Sequence, residues 1–268
     1  MNLATLKTIL IDGDGVIWRA NEAVPGALDF FDLLKQRDMD WALLTNNNTH
    51  TVADYVAKLR GFGIDADPSH VFTSCTVTAN YLRQRYGPGA PVHVVGMDGL
   101  TMTLAEAGFD LSSGETMPDH PVVAVAAGMD RAITYDKIKV AMRLILGGAE
   151  FVAANTDPSY PVPDGLNPGT GMITCMLQTV TGVKPTIMGK PERPIYEAAL
   201  KRFNADVTTT AMLGDQLVTD ILGAQRLGIC AIQVLTGVVT REELAASPIR
   251  PDLVFEDLGE LATALRAA

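Results

Sequence analysis

The chain has 268 residues, of which 47% are hydrophobic and 19% are charged, and its formal net charge is −10. This composition is typical of a folded globular protein, and the acidic charge without any Lys/Arg cluster argues against a nucleic-acid partner. No apolar stretch is long enough to span a bilayer, and residues 1–11 lack the charged-then-apolar pattern that is typical of a secretory signal. We therefore expect a cytoplasmic protein that has no membrane partner.

The first part of the chain alternates predicted strands with predicted helices. An apolar run at residues 9–11 predicts a buried strand. A helix follows Pro25-Gly26, and we expect Leu28 on its buried face together with Phe30, Phe31 and Leu34. The pattern continues with a strand at 41–44, a helix ending at Gly61 and a strand at 71–73. This alternation predicts an α/β fold with a doubly wound parallel sheet.

The same alternation resumes late in the chain. It gives a strand end at 187–191, a helix at 195–203, a strand at 211–215, a helix at 220–227, strands at 232–235 and 253–255, and a closing helix at 258–265. The segment between the two regions has strands of its own at 92–95 and 122–126, and helical periodicity from Tyr135 to Ile145. We predict a core over 1–82 and 187–268 and an inserted α/β cap domain over 83–186.

Four of the predicted strand ends carry polar groups suited to phosphate chemistry. Parallel strands bring such residues to one edge of the sheet, where ligands bind. Each group also has an ordinary interpretation: an Asp-Gly turn, a helix cap or a surface lysine. Four such ends in this order favour a site. They are Asp12 with Asp14, Thr45 with Asn46, Gly189 with Lys190, and Gly214-Asp215 with Asp220.

These segments resemble the four signature motifs of the haloacid dehalogenase superfamily. The cap lies between the second and third motifs, which resembles subfamily IIA, with a large α/β cap on a Rossmann-like core. Nitrophenyl-phosphatases, pyridoxal phosphate phosphatases and phosphoglycolate phosphatases belong to that subfamily. The matching segments are Asp12-Gly-Asp-Gly-Val, Leu44-Thr-Asn-Asn, Gly189-Lys-Pro-Glu and Gly214-Asp-Gln-Leu-Val-Thr-Asp220-Ile.

The resemblance implies a role for each polar residue. Asp12 would be the nucleophile that forms an aspartyl-phosphate, and Asp14 would be the general acid and base. Thr45 and Asn46, with Asn47 beside them, would bind phosphoryl oxygens. Lys190 would neutralise the remaining charge.

The resemblance also implies a Mg²⁺ cofactor. Asp12 and Asp215 would provide carboxylate ligands, and Asp14 its backbone carbonyl. Asp220 would orient Lys190 or a metal-bound water. Gly189 and Gly214 would support the site, with Gly189 leaving room for a phosphate.

The predicted function is therefore that of a Mg²⁺-dependent phosphatase. Its substrates would be small phosphomonoesters such as sugar phosphates, nucleotides, phosphoglycolate or p-nitrophenyl phosphate. Asp14 is typical of phosphatases rather than dehalogenases. The short segment between Asp14 and the Pro25 helix leaves no room for a mutase-type cap. The alternative function is a catalytically silent protein that binds small ligands in the same capped cleft.

Two positions depart from the family pattern. Gln216 stands where the fourth motif more often has arginine, and Tyr160 stands where pyridoxal phosphatases offer histidine. Tyr160 would either contact the leaving group of the substrate or pack under the cap. Related proteins often pair through the cap, so a homodimer is one possible assembly.

Overall fold

The computed structural model describes residues 3–162 and 165–268. They divide into two compact units. The first comprises the described residues up to Thr45, Ala53–Phe72 and Lys190–Ala268, and the second comprises Asn46–Val52 and the described part of Thr73–Gly189. The cap predicted over 83–186 lies inside the second unit, and its boundaries stay a prediction.

Strands and helices alternate along most of the chain. The strands are β1 (Thr8–Ile11), β2 (Trp18–Arg19), β3 (Glu22–Ala23), β4 (Asp40–Thr45), β5 (Val71–Thr73), β6 (Pro91–Val95), β7 (Asp110–Ser113), β8 (Ala124–Ala127), β9 (Glu150–Ala153), β10 (Ser159–Val162), β11 (Gly165–Pro168), β12 (Thr186–Ile187), β13 (Thr210–Gly214), β14 (Cys230–Val234) and β15 (Leu253–Phe255). The helices are α1 (Ala27–Gln36), α2 (Val52–Gly61), α3 (Ser74–Tyr86), α4 (Asp98–Glu106), α5 (Tyr135–Leu146), α6 (Thr170–Thr181), α7 (Arg193–Phe203), α8 (Leu222–Leu227), α9 (Arg241–Ala246) and α10 (Leu258–Ala267). Runs of two or three strands without an intervening α-helix occur at β1–β3, β7–β8 and β9–β11.

The first unit is built on a six-stranded sheet with the order β15-β14-β13-β1-β4-β5. The central strand β1 pairs in parallel with β13 and with β4, and β13, β14 and β15 continue the parallel pairing. All residues of β1, β13 and β14 are buried. Strands buried on both faces are typical of a parallel sheet with helices on either side, and the core is the predicted Rossmann-like α/β fold.

The second unit is built on a five-stranded sheet with the order β12-β9-β8-β6-β7, in which all neighbouring strands are parallel. An antiparallel hairpin, β10 with β11, lies outside this sheet. Helices α5 and α6 pack on the sheet and bury an aliphatic core that includes Val125, Leu144 and Ile173. In the described part of the chain, every helix is too short or too polar to cross a bilayer.

Two predictions about individual elements are wrong. The strand that ends at Ile187 pairs with β9 and belongs to the five-stranded sheet, so Lys190 does not follow a strand of the core sheet. A two-residue strand contains too little pattern to specify its partner. Leu28 is 47% exposed. The buried face of α1 runs through Ala27, Phe30, Phe31 and Leu34, which leaves position 28 outside it.

Candidate active site

Three neighbouring strands of the first unit end in polar residues at one edge of the sheet. Asp12 follows β1 directly, Thr45 is the last residue of β4, and Asp215 follows β13. Since β1 lies between the other two strands and parallel to both, the three residues leave the sheet side by side. All three are buried. This is the edge at which open α/β sheets bind ligands.

Lys190 supplies the positive charge among these carboxylates. Its side chain is 2% exposed, and its Nζ donates hydrogen bonds to Oδ1 of Asp12 at 2.7 Å and to Oδ1 of Asp220 at 2.8 Å. Burial by itself would lower the pKa of Lys190, but the two carboxylates more than offset it, so the pKa lies above its ordinary value. Lys190 is therefore a permanent cation in contact with Asp12.

Asp220 connects this lysine to the backbone. It lies on a π-helical turn, Leu217–Ile221, and its Oδ2 accepts a hydrogen bond from the backbone N–H of Gln216 at 3.1 Å. Burial raises the pKa of Asp220, the ammonium group of Lys190 opposes that rise, and the result is about 6. A Cβ on Gly214 would lie 2.2 Å from the Cβ of Asp220, so only glycine allows β13 to pass this close.

Asp215 is held by the backbone on one side only. Its Oδ2 accepts a hydrogen bond from the backbone N–H of Val238 at 3.0 Å, and its backbone carbonyl accepts one from Nε2 of Gln233 at 2.8 Å. Its Oδ1 is buried and has no hydrogen-bond partner among the described residues. Burial, followed by the charges of Asp12 and Asp220, raises the pKa of Asp215 well above its usual range. A buried carboxylate oxygen without a partner indicates that a ligand completes the site.

The charges fit a divalent cation. Asp12, Asp215 and Asp220 each bring one carboxylate oxygen within 4.8 Å of the others, while Lys190 is the one ammonium group that contacts them in the described structure. A hard divalent cation prefers oxygen ligands and would offset the excess negative charge. The unpartnered Oδ1 of Asp215 is an available ligand atom.

Asp14 differs from these carboxylates because it is exposed. Its Oδ1 accepts a hydrogen bond from Nε1 of Trp18 at 2.8 Å. The carboxylate nonetheless lies among many protein atoms. This desolvation, followed by the charge of Asp12, raises the pKa of Asp14 above its ordinary value. An accessible carboxyl group with a raised pKa has the properties of a general acid.

The predicted substrate-binding residues Asn46 and Asn47 lie in the second unit. Nδ2 of Asn46 donates to both carboxylate oxygens of Asp157, at 3.1 and 3.0 Å. Oδ1 of Asn47 accepts hydrogen bonds from the backbone N–H and the hydroxyl group of Thr49, at 3.0 and 2.7 Å. Asn46 directly follows Thr45, at the point where the chain passes from the first unit to the second.

Tyr160 and Gly189 also belong to the second unit. Tyr160 lies on β10, where Nδ2 of Asn167 donates to its hydroxyl group at 3.4 Å and the guanidinium carbon of Arg131 lies 5.8 Å from its ring centroid. A Cβ on Gly189 would lie 2.4 Å from Oδ1 of Asn46. Protein atoms therefore occupy the space that a side chain at position 189 would need, and the expected room for a phosphate nearby stays a prediction.

Comparison with known proteins identifies the family. A haloacid dehalogenase-like hydrolase model matches residues 9–110, and a second model, described as HAD-hydrolase-like, matches residues 187–261. The acid sugar phosphatase of Staphylococcus aureus (strain USA300) is 37% identical over 254 residues, which cover 95% of this chain and 96% of the relative. The chain belongs to the haloacid dehalogenase-like hydrolase family.

Solved structures of family members match nearly the whole chain. The 4-nitrophenylphosphatase of Thermotoga maritima has a TM-score of 0.90 and 31% identity, covering 98% of both chains. NagD from E. coli K-12 has a TM-score of 0.84 and 32% identity, covering 97% of this chain and 98% of that one. These neighbours belong to the subfamily IIA group, and the chain is a phosphomonoester hydrolase of that group.

Membership in this phosphatase family gives the carboxylate cluster its chemical context. Phosphatases of the family typically use a divalent metal, which agrees with the excess negative charge around Asp215. The motifs located Asp12, Lys190 and Asp215, whereas they did not point to the contact that Trp18 makes with Asp14. Trp18 follows the first motif within the same loop. Its position four residues after Asp14 is the one feature of the sequence that could have indicated this contact.

Proposed function

We propose that the protein is a Mg²⁺-dependent phosphatase of small phosphorylated metabolites and that it works through an aspartyl-phosphate on Asp12. The observation that carries this proposal is the hydrogen bond from the buried Lys190 to Asp12, beside the unpartnered oxygen of Asp215. A carboxylate fixed by a permanent cation at the edge of a parallel sheet is suited to in-line attack on phosphorus. The sugar-phosphate activity named for the Staphylococcus aureus relative suggests the substrate class.

Asp12 and Asp215 would hold the metal through their carboxylates, with the backbone carbonyl of Asp14 as a further ligand. When bound, Mg²⁺ neutralises charge on the phosphoryl oxygens and adds to the charge that Lys190 supplies. The hydroxyl group of Thr45 is proposed to bind a phosphoryl oxygen. Asp220 keeps Lys190 charged and in place.

The first chemical step is attack by a carboxylate oxygen of Asp12 on phosphorus. Lys190 donates to Oδ1 of this carboxylate and holds it in place. The bond from phosphorus to the leaving oxygen breaks, and its electron pair goes to that oxygen. The carboxyl group of Asp14 transfers its proton there, which releases the alcohol and leaves an aspartyl-phosphate and a carboxylate.

The second step returns the enzyme to its starting state. Water attacks phosphorus while the carboxylate of Asp14 accepts one of its protons. The bond between phosphorus and Asp12 breaks, and its electron pair returns to the Asp12 carboxylate. Inorganic phosphate leaves, and Asp14 is again protonated. Each group thus ends the cycle as it began.

Other roles predicted from the sequence remain proposals. Asn46, Asn47 and Tyr160 are proposed to contribute to substrate binding. A cytoplasmic location, a homodimer formed through the cap and the domain boundaries at 82–83 and 186–187 also stay predictions.

The experiment measures phosphate release from p-nitrophenyl phosphate and from a panel of sugar phosphates and nucleotides. Mg²⁺ is supplied in one arm and chelated with EDTA in the other. We expect turnover that requires the metal and falls by about 10⁴-fold or more in Asp12→Asn. Asp29→Asn makes the same chemical change on an exposed aspartate of α1 and should retain full activity.

Two results would contradict the proposal. One is wild-type turnover no higher than that of Asp12→Asn. The other is calorimetric binding of the phosphate esters without any phosphate release, which would favour the silent ligand-binding protein. Trapping of ³²P on the wild-type chain after an acid quench, and its loss in Asp12→Asn, tests the covalent intermediate separately.

A further inference from the structure

Trp18 is fixed in the loop that carries the acid. Its side chain is fully buried, and its indole N–H reaches Oδ1 of Asp14 at 2.8 Å. The backbone closes the same loop, because the N–H of Gly15 donates to the carbonyl of Trp18 at 2.8 Å and the N–H of Trp18 donates to the carbonyl of Gly13 at 3.2 Å. The ring and the carboxylate are thus held by main chain only four residues apart.

The ring is also packed on its faces. It stacks on Tyr55 with a centroid distance of 6.1 Å and an interplanar angle of 24°, and Phe62 lies 6.3 Å away. Nζ of Lys58 lies 4.3 Å from the ring centroid and donates to the carbonyl of Ala20 at 2.8 Å. A packed aromatic ring of this kind has few alternative orientations. The indole N–H is therefore a fixed donor.

The first glycine of the Asp-Gly-Asp-Gly motif makes this packing possible. A Cβ at Gly13 would lie 2.4 Å from Cζ2 of Trp18 and 3.1 Å from Cδ1 of Leu43. Any other residue would push the indole ring away from its place, since real Cβ atoms do not approach this closely. The motif and the tryptophan beyond it therefore form one packed unit.

The contact determines which oxygen of Asp14 is left free to face a substrate. Indole Nε1–H is a donor only, so Oδ1 of Asp14 always accepts and cannot present a hydrogen to Trp18. Oδ2 accepts no hydrogen bond from any residue that the structure describes, and the residue is exposed. Oδ2 is therefore the oxygen of Asp14 that remains accessible for proton transfer. Without the indole, the terminal torsion of an aspartate is broad, and the carboxyl group would sample many orientations.

We propose that Trp18 is a positioning residue for the acid–base step: its indole N–H fixes Oδ1 of Asp14, so that Oδ2 delivers the proton to the leaving oxygen and takes one from the attacking water. The inference rests on the proposed phosphatase function. Trp18 touches neither substrate nor phosphorus in this scheme and acts through Asp14 alone. It should matter most when the leaving group needs a proton.

The test compares two substrates of similar shape. Phenyl phosphate releases a basic phenolate that needs protonation, whereas p-nitrophenyl phosphate releases a weakly basic anion that does not. We expect Trp18→Phe to lower kcat for phenyl phosphate about tenfold or more and kcat for p-nitrophenyl phosphate less than about threefold, with KM unchanged within about twofold. A larger loss of kcat on phenyl phosphate, which has the poorer leaving group, indicates that proton transfer to the leaving oxygen is impaired.

The other tryptophan of the chain provides a matched control. Trp41 is buried in the same unit, packs against Phe31 and His70, and lies on β4. Trp41→Phe should show no substrate-dependent loss. In an Asp14→Asn background, Trp18→Phe should change kcat for phenyl phosphate by less than about twofold, because the group through which it acts is already gone.

A spectroscopic measurement uses a chain in which Trp18 is intact. The ¹H–¹⁵N spectrum has two indole resonances, and Asp14→Asn should move that of Trp18 and leave that of Trp41 in place. Equal losses on both substrates, a rise in KM alone, or an unmoved indole resonance would overturn the inference while leaving the phosphatase function intact. A wild type that hydrolyses neither substrate would instead overturn the proposed function, and the inference with it.

Discussion

The two units bury polar groups in different ways. The first unit holds a charged cluster, Asp12, Lys190, Asp215 and Asp220, in which one ammonium group contacts two of three carboxylates and one buried oxygen has no partner. The second unit holds an amide cluster, Asn46, Asn48, Asn155 and Thr170.

The hydrogen bonds that join the members of the amide cluster to one another are made between neutral groups, and Asn46 also donates to a carboxylate, that of Asp157. Nδ2 of Asn48 donates to Oγ1 of Thr170 at 2.8 Å, and its Oδ1 accepts from the backbone N–H of Met129 at 2.7 Å. The backbone carbonyl of Asn46 accepts from Asn48 at 3.3 Å and from Asn155 at 2.5 Å. Neutral hydrogen bonds of this kind stabilise the fold without excess charge. The unbalanced charges of the first unit instead favour binding of a cation and an anionic substrate.

The largest expected effect comes from removing the one positive charge of the charged cluster. Lys190→Met leaves Asp12 and Asp220 buried together without their ammonium group, and we expect the free energy of unfolding to fall by about 3–5 kcal/mol. Urea unfolding in the presence of EDTA measures the change. Adding Asp220→Asn to Lys190→Met should restore part of the loss, because one of the two uncompensated charges is removed.

Lys35→Met is the matched control for this prediction. Lys35 is exposed and pairs with Asp65 at 3.5 Å, so its removal should change the free energy of unfolding by about 0.5 kcal/mol or less. If Lys190→Met unfolded at the same urea concentration as this control, the charged cluster would not depend on its lysine.

A smaller effect is expected in the amide cluster. Asn48→Ala leaves the backbone N–H of Met129 without its acceptor and should lower the free energy of unfolding by about 1–3 kcal/mol. Because the lost partners are neutral, the loss should be equal at low and high salt. Asn167→Ala, on the exposed strand β11, is the control and should unfold at the same urea concentration as the wild type. If the loss in free energy of unfolding were smaller at high salt than at low salt, charge would contribute to this cluster too.

The smallest effect concerns a buried imidazole of the second unit. His93 is fully buried, its Nδ1 lies 3.0 Å from the hydroxyl group of Ser112, and its Nε2 has no hydrogen-bond partner among the described residues. Burial lowers the pKa of His93 from its ordinary 6.5. Below pH 6.5 the unfolded chain therefore binds a proton that the folded chain does not, and the folded state loses stability as the pH falls.

The variant His93→Asn has no such proton to bind. We expect the stability difference between the wild type and His93→Asn to be constant from pH 8 to pH 7 and to shift in favour of the variant below pH 6.5. Urea midpoints at pH 8, 7, 6 and 5 measure this difference. Parallel curves across the whole range would contradict the prediction.

The sequence predicted most residues of the charged cluster but few of the side-chain contacts in either unit. Asp12 and Asp215 could be placed side by side because parallel strands share one edge. Lys190 could be assigned only by resemblance, since the strand before it belongs to the other sheet. The contact between Asn46 and Asp157 joins residues 111 positions apart, and no local pattern specifies such a pair.

Trp18 shows a different limit of sequence reasoning. In a loop after a buried strand, an apolar residue predicts packing, and Trp18 is indeed packed against Tyr55. Its indole Nε1–H reaches Oδ1 of Asp14 only because the loop turns back on itself between these two residues, which are four positions apart. That geometry depends on backbone hydrogen bonds that the sequence pattern does not contain.

The indole beside Asp14 also provides an intrinsic fluorescent probe of the site. With Trp41→Phe in place, one tryptophan remains, and its emission arises next to the carboxyl group proposed to exchange protons during turnover. Fluorescence titration of that variant with phosphate analogues would follow occupancy of the site directly, with no dye attached and no coupled assay.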